Sequence, residues 1–412
     1  TAQAGGEQDD ARGLVEAIVI DVDGAIGPAT SAYVGKAIDE AQARGARLLV
    51  LRMDTPGGLD TSMRAIVKAI TSSYVPVVCY VAPSGARAAS AGTYILYACH
   101  VAAMAPGTNL GAATPVELGG LPSGTPEKSQ PQDAAEDEPS AESAPKSSGD
   151  AKKDKLVNDA VAYIRSLAQM RGRNAEWAEK AVREAASLPA EDAVRLGVVD
   201  LVAPDLEALL AMIDGRVVKT ASGDVVLDTD GLVMVELAPD WHSRLLSIIS
   251  NPNIAYILML VGIYGLIYEF SNPGAVVPGT VGAVCLVLAL YSFQLLPINY
   301  AGVALMLLGL ALMVAEAFAP SFGALGLGGV AAFVVGSLIL IDTEAPGFGL
   351  SIPLILTLAV ISALLLFFII GLALKSYRRP VVSGAEELVG AHGQAVSGFP
   401  GSGSVHLHGE VW

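Results

Sequence analysis

The sequence predicts an α/β domain with a largely parallel sheet, continued into an all-α bundle of membrane-spanning helices. Three observations predict it. Short β-rich runs alternate with helical runs from residue 14 to residue 205, the pattern of a parallel sheet covered by helices. Nearly all charged residues lie before Arg244, and the apolar mass lies after it. Five apolar runs, near 254–270, 277–296, 300–318, 322–341 and 351–374, each have about the length that crosses a hydrocarbon core.

The elements follow in order. Residues 1–13 are expected to be flexible, and the opening Thr-Ala-Gln-Ala-Gly-Gly reads as what remains after a signal peptide is removed. Residues 14–22 read as a buried strand, 31–43 as a helix with helical apolar spacing, and 47–53 as a second strand. Asp54-Thr-Pro-Gly-Gly58 is a sharp turn before a helix at 60–70. A third strand over 75–82 leads through Pro83–Ala88 into a helix over 89–98, and 100–105 is a fourth strand. Residues 117–154 are rich in Pro, Ser, Ala, Gly, Glu and Lys, with too little apolar surface to offset ordering, and are predicted to be disordered. Order resumes at Lys155 with an apolar stripe at helical spacing, followed by a helix over 175–186. Residues 187–193 read as a turn and helix start, and 198–202 as a strand.

Residues 206–239, with their Asp-Gly turns, read as a small β appendage, and 240–253 as an amphipathic helix lying in the membrane interface. Glu269 and Glu316 fall at span ends and read as interfacial rather than as transport groups. Lys375, Arg378 and Arg379 close the membrane segment at 254–375, so the positive-inside rule places that end in the cytoplasm and residues 1–240 outside it. The tail at 383–412 holds two short β-like runs, too few for an independent sheet.

A net charge of −16 argues against nucleic-acid binding. Cys79, Cys99 and Cys285 lack metal-type spacing and read as small buried residues. No metal or cofactor is expected.

Ser90 carries the chemistry, or else an ordinary helix cap. It sits at a helix start between Ala and Gly residues, where Ser is a common cap. Unpaired N–H groups there also favour anionic character, as a nucleophile needs. Gly57 and Gly58, in a strand-to-helix turn, could expose backbone N–H groups, or could simply be glycines that the turn requires. A histidine base is missing from reach: His100 is ten residues on, roughly 15 Å along a helix. A desolvated lysine is the remaining base. Lys128 and Lys146 lie deep in the segment predicted to be disordered; Lys152, Lys153 and Lys155 stay open as candidates.

Residues 14–205 resemble the protease domain of the NfeD membrane proteins, the stomatin operon partner proteins, relatives of ClpP on the Clp/crotonase fold. The similar motifs are Asp54-Thr-Pro-Gly-Gly-Leu59, Ala88-Ala-Ser-Ala-Gly-Thr93, Met104–Ala112, Lys155–Ala168 and Arg171-Gly-Arg-Asn174. Asn272-Pro-Gly274, Pro278-Gly279 and the Glu316 turn extend the likeness into the membrane half. The resemblance implies a serine endopeptidase with Ser90 as nucleophile, Lys155 as general base, and Gly57, Gly58 and Ala91 as oxyanion or substrate-backbone positions. It implies apolar peptide segments as substrates, a stomatin/prohibitin-type (SPFH) partner in the same bilayer, and a homo-oligomer. It also implies that 383–412 begins an OB-type β-barrel that is cut short. Two other readings compete: a non-enzymatic scaffold for SPFH assemblies, and a crotonase-type acyl-CoA enzyme. The second predicts acidic catalytic residues and a cytoplasmic domain, against the charge pattern.

Overall fold

The computed structural model describes residues 16–115, 148–272, 274–318, 323–341, 347–377, 390–396, 398, 401–407 and 409–412. The expected flexible N-terminus and residues 117–147 of the expected insertion lie outside them. The predicted alternation opens the fold: β1 (Glu16–Asp23), α1 (Pro28–Arg44), β2 (Leu48–Asp54), α2 (Asp60–Thr71) and β3 (Val77–Val81). There follow β4 (Arg87–Ala89), α3 (Ala91–Ala98), β5 (Val101–Met104) and β6 (Asn109–Gly111). After the insertion come α4 (Ser148–Arg171), α5 (Ala175–Arg183), β7 (Ser187–Pro189), α6 (Ala190–Arg195) and β8 (Leu201–Val202). Then α7 (Leu206–Ile213), β9 (Val217–Thr220), β10 (Gly223–Val226) and β11 (Val233–Glu236) complete the domain.

Six strands pair in the order β11-β1-β2-β3-β5-β8, every pair parallel. A parallel sheet is covered on both faces, so its central strands are apolar throughout rather than alternating. All five residues of β3 are buried accordingly. The two-residue period still sorts them. Ile18, Ile20, Leu49, Leu51, Val77 and Cys79 join the core under α1 to α5, whereas Val19, Val50, Val78 and Tyr80 join a second core with α7 and β9. α2 shows the reason for its docking: Met63, Ile66, Val67 and Ile70 share its buried face, each worth about 1.5–3 kcal/mol of burial.

Four expectations change. Strands β4, β6 and β7 form a second, three-stranded sheet that the sequence reading missed, and β7 replaces the expected turn at 187–189. Strands of three residues are too short to show a period. Residues 148–154, expected to be disordered, are the first turns of α4. Residues 206–239 are not a separate β appendage: 206–213 is helix, and β11 is the edge strand of the main sheet beside β1. Cys79 and Cys99 are buried as expected but are joined in a disulfide, with Cα atoms 5.9 Å apart. β3 and the end of α3 meet only in the folded chain.

The membrane half begins with α8 (Trp241–Ile249), capped by the Asp240 side chain. It continues as α9 (Pro252–Ser271), α10 (Val277–Leu295), α11 (Tyr300–Phe318), α12 (Ala324–Ile339) and α13 (Ile352–Tyr377). These five helices overlie the five apolar runs of the sequence. α9 and α10 are long and apolar enough to cross a bilayer, and under a third of each is buried within the protein, which suits lipid-facing helices. Glycine brings partners close: a Cβ on Gly309 would lie 2.6 Å from the Gly329 carbonyl oxygen, joining α11 to α12. The two acids at the span ends act alike. Glu269 accepts the Val276 and Gly279 N–H groups at the start of α10, and Glu316 accepts those of Gly323, Leu325 and Gly326 at the start of α12. Each carboxylate thus satisfies helix N-terminal amides that lipid could not. In the tail, β12 (Gln394–Ala395), β13 (Val405–Leu407) and β14 (Glu410–Val411) make a small antiparallel sheet. The expected OB-type barrel is not formed by the described residues.

Candidate active site

Ser90 stands between β4 and α3, so the local order is strand, serine, helix. Its backbone has φ +51° and ψ −115°, a region a non-glycine residue enters at a cost of roughly 1–3 kcal/mol. The surroundings impose it. Ser90 N–H donates to the Gly111 carbonyl at 2.8 Å, and Thr93 Oγ1 bridges the carbonyls of Ala88 and Gly111 at 2.9 and 3.0 Å. The second sheet therefore holds the serine in place. Its hydroxyl makes no capping bond to α3, which removes the ordinary account of a serine at a helix start. Sharp strand–serine–helix turns of this kind expose a nucleophile in hydrolases.

The hydroxyl faces Gly57 instead. A Cβ on Gly57 would lie 2.7 Å from Ser90 Cβ and 3.1 Å from its Oγ, so only glycine fits. The turn is tied to the second sheet by Thr55, whose N–H donates to Arg87 O and whose carbonyl accepts from Ala89 N–H. It is tied to the segment after β1 by Ile26, whose N–H donates to Gly57 O while its carbonyl accepts from Leu59 N–H. This arrangement separates the two glycines. Gly57 N–H donates to Thr55 Oγ1 at 3.1 Å, whereas the Gly58 amide lies outside the pairing with Ile26. Gly58 is thus the freer donor, and Ala91 supplies an amide from the first turn of α3, where intrahelical partners are lacking.

Lys155 lies in the third turn of α4, exposed to solvent. No hydrogen bond joins it to Ser90 in this structure. The desolvated setting expected of a lysine base is not formed by the described residues, which leave Lys153 to Leu156 exposed. Lys153 is likewise exposed, and Lys152 falls in the same helix. The helix itself is tied to α2 and α3. Asp159, one turn after Lys155, accepts from Arg64 at 2.7 Å, and Arg64 also donates to Asp60 at the start of α2. Tyr163, a turn further, stacks on Tyr94 of α3 with ring centres 6.1 Å apart.

Sequence reasoning missed the residues that anchor the far end of α3. Arg173 donates to the carbonyls of Leu96, Tyr97 and Cys99 and pairs with Asp200 at 2.7 Å, while Arg171 donates to Ala98 O. Cations at a helix C-terminus satisfy its last carbonyls and its dipole. The Arg-Gly-Arg-Asn run was visible, but not the helix end it would reach.

His100 is a buried core residue at that same end, away from Ser90. Its Nδ1 accepts the Val77 N–H at 3.0 Å, and burial, with Arg171 and Arg173 alongside, lowers its pKa to about 3. Because the folded chain resists the proton that the unfolded chain accepts near 6.5, this stabilisation is complete above that pH. It is lost as pH falls from 6.5 towards 3. Urea midpoints of the full chain in detergent are expected to drop across that window, and to drop less in His100→Gln. Equal slopes in both proteins would exclude His100 as the cause.

The class that the fold defines is a parallel α/β domain, with a half-buried serine against a glycine turn, joined to apolar helices of which two are long enough to cross a bilayer. The comparisons specify it further. Residues 253–372 match the model of the NfeD integral membrane domain, and residues 16–146 that of the NfeD1b N-terminal domain. The membrane-bound protease PH1510 of Pyrococcus horikoshii is 34% identical over 90% of this chain and 81% of its own length. The membrane protein NfeD1b of Bacillus subtilis is 26% identical over 89% of this chain and 76% of its own. Among solved structures, a variant of the 1510-N membrane-bound stomatin-specific protease in complex with a substrate peptide is 34% identical. It covers 57% of this chain and 97% of its own, with a TM-score of 0.48. The chain belongs to the NfeD family of membrane proteins.

Proposed function

We infer that this chain is a membrane-anchored serine endopeptidase using a Ser–Lys dyad. The observation that carries the reading is Ser90 itself: strained, half-buried, uncapping, and pressed against a turn with room only for glycine. In the proposed mechanism Lys155, covered and made neutral by bound peptide, takes the Ser90 proton as Oγ attacks the scissile carbonyl. The Gly58 and Ala91 amides stabilise the oxyanion, and Gly57 leaves space for the peptide backbone. Lys155 returns the proton to the leaving amine and then activates the water that hydrolyses the acyl-enzyme.

The likeness to a relative named a membrane-bound protease supports the peptidase reading, and the family resemblance adds apolar segments of membrane-associated proteins as substrates, a stomatin/prohibitin-type SPFH partner, the Clp/crotonase class and a homo-oligomer. The cluster of Lys375, Arg378 and Arg379 after the last span supports a cytoplasmic tail and an N-terminal domain outside the cytoplasm. The Cys79–Cys99 disulfide suits that placement, since such bonds persist in oxidising compartments. The exposed Lys155 favours one rival, a scaffold for SPFH assemblies with an idle dyad.

Offering an apolar peptide library to the full chain in detergent, beside Ser90→Ala, separates the two. Cleavage lost in the variant supports the peptidase. A folded chain that cleaves nothing, and whose Ser90 takes no fluorophosphonate label, supports the scaffold.

A further inference from the structure

Phe348 stands outside any helix, in the connection between α12 and α13, yet it is only 5% exposed. A phenylalanine buried in a loop has to be filling a defined site. Gly27 of the soluble domain lies against its ring, and Leu59 belongs to the same buried apolar cluster as Phe348 and the membrane helices, with Ala25 packed against that cluster. A Cβ on Gly27 would lie 2.7 Å from Phe348 Cζ, and one on Gly347 would lie 2.9 Å from Ala25 Cβ. The loop and the segment after β1 thus touch with nothing between them.

That segment is also the backing of the Gly57–Gly58 turn. Gly24 N–H donates to Asp54 O at 2.9 Å, Ile26 N–H to Gly57 O at 2.7 Å, and Leu59 N–H to Ile26 O at 2.9 Å. On its other side the turn meets Ser90. A continuous stack results: the Phe348 ring, the extended Ala25–Gly27 backbone, the Gly57–Leu59 turn, and the serine. The membrane end of the stack is held as well, since Ser351 N–H donates to Asn253 Oδ1 in the first turn of α9 at 3.1 Å.

We propose that Phe348 is a positioning residue for the peptidase site: seated on Gly27 by the membrane helices, it sets the placement of the Gly57–Gly58 turn against Ser90. The proposal rests on the peptidase reading above and adds to it that the membrane half adjusts catalysis directly, besides anchoring it. Well-packed layers transmit a displacement rather than absorb it. A turn shifted by a fraction of an ångström misplaces the oxyanion donors, which lowers kcat more than it weakens peptide binding.

The test uses the full chain in lipid nanodiscs and four variants: Phe348→Ala, Phe348→Leu, Gly27→Ala, and Gly27→Ala combined with Phe348→Leu. Amide hydrogen exchange over residues 54–59 and the kinetic constants for an apolar peptide are both measured. Phe348→Ala is expected to speed exchange in that segment and lower kcat about tenfold, with KM within about twofold. Phe348→Leu should retain most of the activity. Gly27→Ala, whose new methyl displaces the ring, should lower kcat, and the double variant should recover it because the shorter side chain makes room. Unchanged exchange and kcat in Phe348→Ala, or an additive double variant, would overturn the proposal. Ser90→Ala is run alongside. Hydrolysis surviving in that variant removes the nucleophile reading, whereas exchange at 54–59 still decides whether Phe348 sets the turn.

Discussion

Replacing Lys155 by Ala is expected to lower kcat on an apolar peptide by roughly 10⁴-fold or more, with KM little changed, as when one member of a catalytic unit is removed. Lys155 and Asp159 lie one turn apart on a single face, and the Asp159–Arg64–Asp60 contacts tie that face to the N-terminus of α2. Arg64 also lies over the Tyr163 ring, 4.4 Å from its centre, so the helix is held at two successive turns. The start of α2 follows directly on the Gly57–Leu59 turn. In the proposed mechanism a peptide bound beside Ser90 covers Lys155 as well, removing water from both groups at once. Lys155→Arg should fail as well, because a guanidinium stays charged where a neutral amine is required. Single-turnover kinetics with a chromogenic apolar ester would locate the loss in the acylation step. Activity surviving Lys155→Ala would move the base to Lys152 or Lys153, which precede it in the same helix.

Gly57→Ala is expected to reduce kcat/KM by about 10²-fold or more while the chain stays folded. Two costs meet at this position. Its φ of +115° is one that a residue with a Cβ rarely adopts, costing roughly 1–3 kcal/mol of stability. The new methyl would also stand 2.7 Å from Ser90 Cβ, in the space the attacked carbonyl must share with Oγ. A control separates these effects. Gly85 has φ +91° with open space where its Cβ would go, so Gly85→Ala carries the backbone strain without touching the serine. Comparable thermal shifts with activity lost only in Gly57→Ala would assign the loss to crowding of Ser90. Equal losses in both would point to strain alone.

Much of the fold could be read from local pattern. The parallel sheet was legible because β1, β2 and β3 are continuous apolar runs separated by amphipathic helices, and each run declares itself within a few residues. The five membrane helices were legible for the same reason. The second sheet was not, since its strands are three residues long and are held by pairing with one another and with Thr55. The disulfide was hidden because Cys79 and Cys99 are 20 residues apart and share no motif. At the site, Ser90, Gly57 and the lysines were singled out by residue type and setting. Their relation was not, for hydrogen bonds from Gly111, Thr93 and Thr55 decide where the serine points.

The sequence by itself determined that an α/β domain precedes a membrane bundle, that a serine sits at a helix start, and that a glycine pair sits in a separate strand-to-helix turn. These properties depend on the spacing of apolar and small residues over short stretches. Only the tertiary structure decided that the Ser90 hydroxyl does not cap α3, that Gly57 N–H is taken by Thr55 while Gly58 lies outside its pairing, and that Lys155 is exposed. It alone placed Phe348 behind the Gly57 turn, some 290 residues away along the chain. Such contacts are fixed by packing between distant segments, and no local pattern carries them.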